Sequence, residues 1–170
     1  MKILIATNNK HKIYEIKNIL KNDKIDLLTL SDLNIDINVE EDKDTLEGNA
    51  LKKAEEMYKT AKIPTIADDT GLFVESLNGE PGVYSSRYAG ENATYDDNCV
   101  KLLREMNNIP DGKRNAYFQT VVCFYVSPAE HYFYDGICKG RIAKEKNGQN
   151  GFGYDPLFIP DGFDKTYAEM

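Results

Sequence analysis

No apolar run in the sequence approaches the roughly 20 residues that cross a bilayer as a helix, so a membrane-spanning class is excluded. The opening segment MKILIATNNK holds one basic residue and about five apolar ones before polar residues intervene, too short for a signal-peptide core. It reads instead as a first strand. Cysteine is sparse, with three residues (Cys99, Cys123 and Cys138), an odd number and no C-x-x-C spacing. That pattern favours free thiols in a reducing cytoplasm over a disulfide scaffold. There are two histidines, His11 and His131, in no ligand-like cluster, and no thiolate pair for zinc. No G-x-x-x-x-G-K occurs, which removes the Walker class, and no internal repeat or low-complexity linker is present. Basic residues are also in deficit, 21 against 28 acidic ones, a net charge of −7. Duplex DNA and anionic membranes depend on basic patches and are poor candidates as main partners. A single nucleotide is not, because a small phosphate ligand needs only a few local lysines or a bridging cation.

What is present is ordinary globular material, 41% hydrophobic and 29% charged, long enough to bury roughly two-thirds of the unfolded surface. Residues 2–6 form a strand pattern, and KHKIYEIKNIL follows with Ile13, Ile16, Ile19 and Leu20 at helical spacing. IDLLTL (25–30) reads as a second strand. Between 32 and 47 lie Asp32, Asp36, Glu40, Glu41, Asp42, Asp44 and Glu47 against Lys43, a pattern expected of a solvated loop. From Thr45 to Lys62 the residues Leu46, Ala50, Ala54, Met57, Tyr58 and Ala61 share a helix face, and Pro64 ends it. NGEPGVYSSRYAG is a loop, and Thr94 caps a helix through YDDNCVKLLREMN with Asp96 and Asp97 in its first turn. Segments 115–126 and 131–143 read as a hairpin joined by SPAE. Alternating strands and helices point to an α/β domain with a mixed sheet.

The costliest feature is the adjacent pair Asp68 and Asp69 in PTIADDTGLF, since an unpaired carboxylate at a buried strand is unfavourable. Neighbours on a regular strand face opposite ways, so a strand end turning at Thr70-Gly71 is expected if both are to serve one ligand. One carboxylate could then hold a divalent cation and the other orient or deprotonate a water. Glu40 or Glu41 could complete that set, and hard oxygen ligands favour Mg²⁺. The first turn, Thr7, Asn8, Asn9, Lys10, His11 and Lys12, offers donors at a helix N-terminus, where anions are favoured. Lys53 sits mid-helix, where lysines are ordinarily surface residues, and replacing Lys12 or Lys53 is expected to cost little stability. In GFGYDP, Phe152 and Tyr154 offer flat surfaces for a base, Gly153 close approach, and Asp155 an acceptor; a glycine turn with core aromatics is the plainer reading.

Taken in order, ATNNKHK, VEEDKDTLEGNALKKA, IADDTGL, NGEPGVYSSRYAG and NGFGYDPLF with KTYAEM resemble the inosine triphosphate pyrophosphatase family. The resemblance implies an α/β fold, a two-lobed domain around a long mixed β-sheet with a central substrate cleft. It also implies a cytoplasmic homodimer that uses Mg²⁺ to hydrolyse ITP, dITP or XTP to the monophosphate and pyrophosphate. Carried over by position, Thr7 to Lys12 and Lys53 match triphosphate contacts, and Thr70 and Phe152 to Asp155 match substrate contacts. Glu40 or Glu41 with Asp69 matches the metal set, and Asp69 the proton acceptor, with Asp68 its partner. Residues 1–170 are expected to be one such domain without the family's C-terminal Ser-His-Arg stretch, which contributes to base recognition, and so to prefer ITP over ATP less sharply. A Maf-type nucleotide pyrophosphatase and a nucleotide-binding protein without turnover are the alternative readings.

Overall fold

The computed structural model describes residues 1–170, which group into two compact units. The first comprises Met1–Asp69 and Thr120–Asp135, the second Thr70–Gln119 and Gly136–Met170. Ten regular elements follow along the chain: β1 (Lys2–Ile5), α1 (Lys10–Ile19), β2 (Asp26–Thr29), α2 (Leu46–Ala61), β3 (Thr65–Val74), β4 (Pro81–Gly82), α3 (Tyr95–Glu105), β5 (Asn115–Ser127), β6 (Glu130–Ile142) and β7 (Phe158–Pro160). Short 3-10 turns fill several of the connections. The strands hydrogen-bond in the order β2-β1-β3-β5-β6-β7, with β4 paired to β3, so the expected mixed α/β sheet is present.

In the first unit β1 pairs in parallel with both β2 and β3. The crossover from β1 to β2 and the one from β2 to β3 run in opposite directions across the sheet. Right-handed crossovers therefore place α1 and α2 on opposite faces. Each helix is cut where its local chemistry dictates. Asn9 caps α1, its side chain accepting from the His11 and Lys12 amides, and Thr45 caps α2 by accepting from the Gly48 amide. Lys62, in the left-handed region at φ 56°, closes α2 before Pro64. Ile3, Leu4, Ile5, Leu46, Ala50, Ala54, Met57, Ile66, Val121 and Cys123 make the core of this unit. Every leucine, isoleucine or methionine so buried contributes about 1.5–3 kcal/mol.

The second unit packs around Leu72, Val74, Cys99, Leu102, Met106, Ile142, Leu157 and Phe158. α3 begins at the expected Thr94 cap, which Asp97 completes as a full capping box. β5 and β6 are joined through Pro128-Ala129, a connection that only antiparallel neighbours permit. The cysteines are free, and burial pushes the Cys99 and Cys123 thiols up to about 11. No helix is long and apolar enough to cross a membrane.

One local expectation is corrected. β3 does not turn at Thr70-Gly71 but runs unbroken from Thr65 to Val74. Gly71 is there for close approach: a Cβ on it would meet the Gly82 carbonyl oxygen of β4 at 2.6 Å. A glycine inside a strand marks such a backbone neighbour as readily as a turn.

Candidate active site

β1 ends at Ile5, while β3 continues past its last partner Ile66, carrying Asp68 and Asp69 beside the β1–α1 loop. Both aspartates are buried, at 7% and 6% exposure. Because the strand is regular, they address different helices. Lys12 of α1 donates from Nζ to Asp68 Oδ2 at 2.5 Å. Asn49 of α2 donates from Nδ2 to Asp69 Oδ2 at 3.0 Å, and Lys53 of α2 places its Nζ 3.6 Å from Asp69 Oδ1. The alternation of the strand, which argued for a turn, is answered by having a cation on each face.

The acidic run is not simply solvated. Lys53 Nζ donates to Glu41 Oε1 at 2.5 Å, so one ammonium lies between Glu41 and Asp69. Lys52 donates to the Glu40 carbonyl at 2.8 Å and pairs with Asp42, and the Lys43 amide donates to Asn49 Oδ1 at 2.9 Å. Gly48 lets this loop lie against the first turn of α2, since a Cβ there would meet Lys43 Cβ at 2.9 Å. Glu41 is thus brought to Lys53 and Asp69, whereas Glu40 is exposed and its main chain is what the helix holds.

The electrostatics follow from this crowding of carboxylates. Burial raises the pKa of Asp69 and Glu41 adds to it; Lys53, Asn49 and Lys12 oppose the rise without cancelling it. For Lys12, burial favours the neutral amine, yet Asp68, Asp69 and Glu41 more than reverse that and hold the ammonium above its ordinary range. Neither Lys12 nor Lys53 is a surface lysine: both are half-buried and paired. The expectation that removing them would leave stability untouched is corrected accordingly.

Thr7 accepts the Asn9 amide on Oγ1, and Asn9 spends its side chain on the α1 cap. Asn8, Lys10 and His11 are exposed on the same turn. Thr70, half-buried, follows Asp69 on β3 and falls in the second unit. So do Phe152 to Asp155. There Asp155 Oδ2 accepts the Phe152 amide at 2.9 Å, Gly153 holds φ 58°, and Phe152 lies 6.1 Å from the Tyr95 ring. Of the two readings of this segment, Tyr154 takes the core one. It is 5% exposed within the core, and its hydroxyl donates to the Ser85 carbonyl at 2.8 Å.

Asn49 was not anticipated from sequence. Its signal is a polar residue on the stripe Leu46, Ala50, Ala54, Met57, one helical turn before Lys53.

The model of the Ham1 family matches residues 3–170. The chain belongs to the Ham1 family. Among similar proteins, a dITP/XTP pyrophosphatase of Thermoanaerobacter sp. (strain X514) is 49% identical over 170 residues, covering all of this chain and 85% of that relative. A dITP/XTP pyrophosphatase of Flavobacterium johnsoniae is 47% identical, again across the whole chain and 86% of the relative. The solved structure of the Staphylococcus aureus Ham1 protein superposes with a TM-score of 0.86 at 42% identity, covering 100% of this chain and 86% of that one. The Ham1 fold therefore carries the carboxylates Asp68 and Asp69, and the family match displaces the Maf-type alternative.

Proposed function

We propose that this Ham1-family chain is a nucleoside triphosphate pyrophosphatase. It hydrolyses the non-standard purine nucleotides ITP, dITP and XTP to the monophosphate and pyrophosphate. The observation that carries the reading is the set of Lys12, Asp68, Asn49, Asp69, Lys53 and Glu41 at the end of β1, in a chain whose relatives bear the name dITP/XTP pyrophosphatase.

The residues suit Mg²⁺. No three His, Cys, Asp or Glu side chains gather as a closed metal cage. Mg²⁺ does not need one, since it is commonly held by one or two carboxylates together with water and substrate phosphates. Glu41 and Asp69, two carboxylates sharing a single ammonium, supply that number of hard oxygen donors. When bound, Mg²⁺ would polarise a phosphate oxygen and the attacking water. Asp69 takes the proton from that water as its oxygen bonds to the α-phosphorus and the α–β anhydride bond breaks, with pyrophosphate leaving. Asp68 holds Lys12 in place, and Lys12 and Lys53 neutralise charge that develops on the phosphate oxygens. The α1 turn from Thr7 through Asn8, Asn9, Lys10 and His11 frames the triphosphate, while Thr70, Phe152, Gly153 and Asp155 contact the nucleoside. Phe152 is the stacking surface, and Tyr154 anchors the segment in the core through the Ser85 carbonyl. The working form is a homodimer in the cytoplasm, in keeping with three free thiols.

A product assay across a panel of nucleoside triphosphates with Mg²⁺ tests this reading. Pyrophosphate from ITP, dITP or XTP in preference to ATP is expected. Release of orthophosphate alone would mean that a different bond is broken, and binding without turnover would leave a nucleotide-binding protein.

A further inference from the structure

Asn49 is the one fully buried polar side chain that touches both halves of the carboxylate cluster, at 0% exposure. Its Nδ2 donates to Asp69 on β3, and its Oδ1 accepts the amide of Lys43, two residues from Glu41. A side-chain amide is rigid and planar, so one rotamer fixes both bonds. The loop that brings Glu41 and the strand that brings Asp69 meet through this group and through Lys53. Lys53 has a flexible stem of four methylenes, whereas Asn49 has one. The amide therefore sets the geometry, and the ammonium follows it. A helix needing only a core residue between Leu46 and Ala50 would gain more from leucine, because a buried amide returns little unless all its bonds are made.

We propose that Asn49 is a positioning residue that holds Asp69 and the Glu41 loop in one fixed relation, and so prepares the two carboxylates for a single divalent cation. It acts through Asp69 and the Lys43 amide. This rests on the function proposed above, and its decisive readout does not require turnover.

The experiment uses the full chain and two variants, Asn49→Ala and Asn49→Asp. Asn49→Ala removes both bonds. Asn49→Asp keeps an acceptor for the Lys43 amide but replaces the donor to Asp69 with an oxygen. Mg²⁺ binding is read by calorimetry on the nucleotide-free protein, and kcat and KM are read separately with dITP. Groups that orient metal ligands cost about 10-fold to 100-fold when lost. Both variants are expected to weaken Mg²⁺ binding by that order and to lower kcat, with KM for dITP within about threefold. In an Asp69→Asn background Asn49→Ala should weaken Mg²⁺ binding much less, because coupled residues are not additive. Wild-type Mg²⁺ affinity in Asn49→Asp, equal losses in both backgrounds, or no Mg²⁺ uptake by the parent chain would each overturn the proposal. A parent chain that binds Mg²⁺ but releases no pyrophosphate counts against the proposed function alone, and the calorimetric comparison still decides the role of Asn49. If Asn49→Ala fails to fold, Asn49→Asp, nearly isosteric, carries the test.

Discussion

Asp68 and Asp69 in the first unit and Arg114 in the second are buried to a similar degree, at 7%, 6% and 5% exposure, yet their charges are met in different ways. Arg114 donates to four main-chain carbonyls, those of Met106, Ile109, Ile142 and Ala143, at 2.8–3.1 Å. Two of these lie at and just beyond the C-terminal end of α3, where a cation also meets the helix dipole. The acceptors are backbone atoms fixed by the fold. The aspartates instead face the tips of long lysine side chains and one amide, with a third carboxylate close by. Fixed carbonyls make Arg114 a brace. Ammonium groups on long side chains are less rigidly placed partners for Asp68 and Asp69, and the function proposed above draws on that difference.

Asp69→Asn is the sharpest break in this comparison. It should lower pyrophosphate release by about 10²-fold to 10⁴-fold, because the proposed function makes Asp69 both proton acceptor and metal ligand and the amide keeps only the shape. The same change should stabilise the fold at neutral pH. A carboxyl whose folded pKa is raised supports folding fully below its unfolded pKa, and that support is lost as pH rises through the folded value. Ionised Asp69 thus weighs against the native state at pH 7, and its amide does not. Melting curves of variant and parent should diverge between acid and neutral pH, the variant melting higher at pH 7. A variant that melts lower at pH 7, or that keeps turnover within threefold, contradicts the assignment.

Lys12→Met asks whether the pair on the other face of β3 is equally adjustable. It leaves a buried carboxylate without its ammonium, and breaking such a pair costs about 3 kcal/mol or somewhat more. Lower stability and weaker use of the triphosphate should appear together, read by denaturant unfolding and by KM. Arg114→Met makes the opposite separation. Four carbonyls lose their donor, and about 2–3 kcal/mol of stability should go with them. The fraction that remains folded should turn over nucleotide at the parental rate per molecule, which active-site titration can check.

The difference between brace and site was only partly legible in the sequence. Periodicity gave α2 its stripe and Pro64 its end near Lys62, and the Thr94 cap of α3 was visible because capping is local. Asp68 and Asp69 announced themselves through cost, since two carboxylates in an apolar run need a reason. Gly71 misled because glycine signals both a turn and a close neighbour, and the neighbour that decides, Gly82, is remote in sequence. Asn49 was hidden for a similar reason. Its two partners lie on a loop and on a strand, and a polar residue in a helix ordinarily faces water. The acidic run looked solvated because its ties to α2 depend on Lys52, Lys53 and Asn49, which come after it in the chain. Tyr154 was ambiguous in itself, as any aromatic is until its exposure is known.

That ambiguity supplies the mildest test. In the second unit Tyr154 stands among Cys99, Leu157 and Phe158 in the core, while its hydroxyl reaches the Ser85 carbonyl at 2.8 Å. Ser85 in turn donates to the Gly82 carbonyl and accepts the Leu72 amide, so the phenol joins a chain of buried bonds that pins β4 to β3. Tyr154→Phe keeps the ring and removes one donor, leaving the Ser85 carbonyl with one partner fewer. A neutral hydrogen bond of this kind contributes about 1 kcal/mol. For a chain of this size that corresponds to a fall in Tm of about 2–4 °C. If the ring is support and not a stacking surface, kcat/KM for ITP and its ratio to that for ATP should stay within about twofold of the parent. Phe152→Ala, by contrast, should raise KM for every purine substrate with little change in Tm, since stacking on an aromatic contributes about 1–3 kcal/mol per base. The two substitutions thus separate the brace beneath the segment from the surface it presents. A Tyr154→Phe variant with normal Tm and a collapsed ITP preference would reverse their roles, making the buried hydroxyl the selective group.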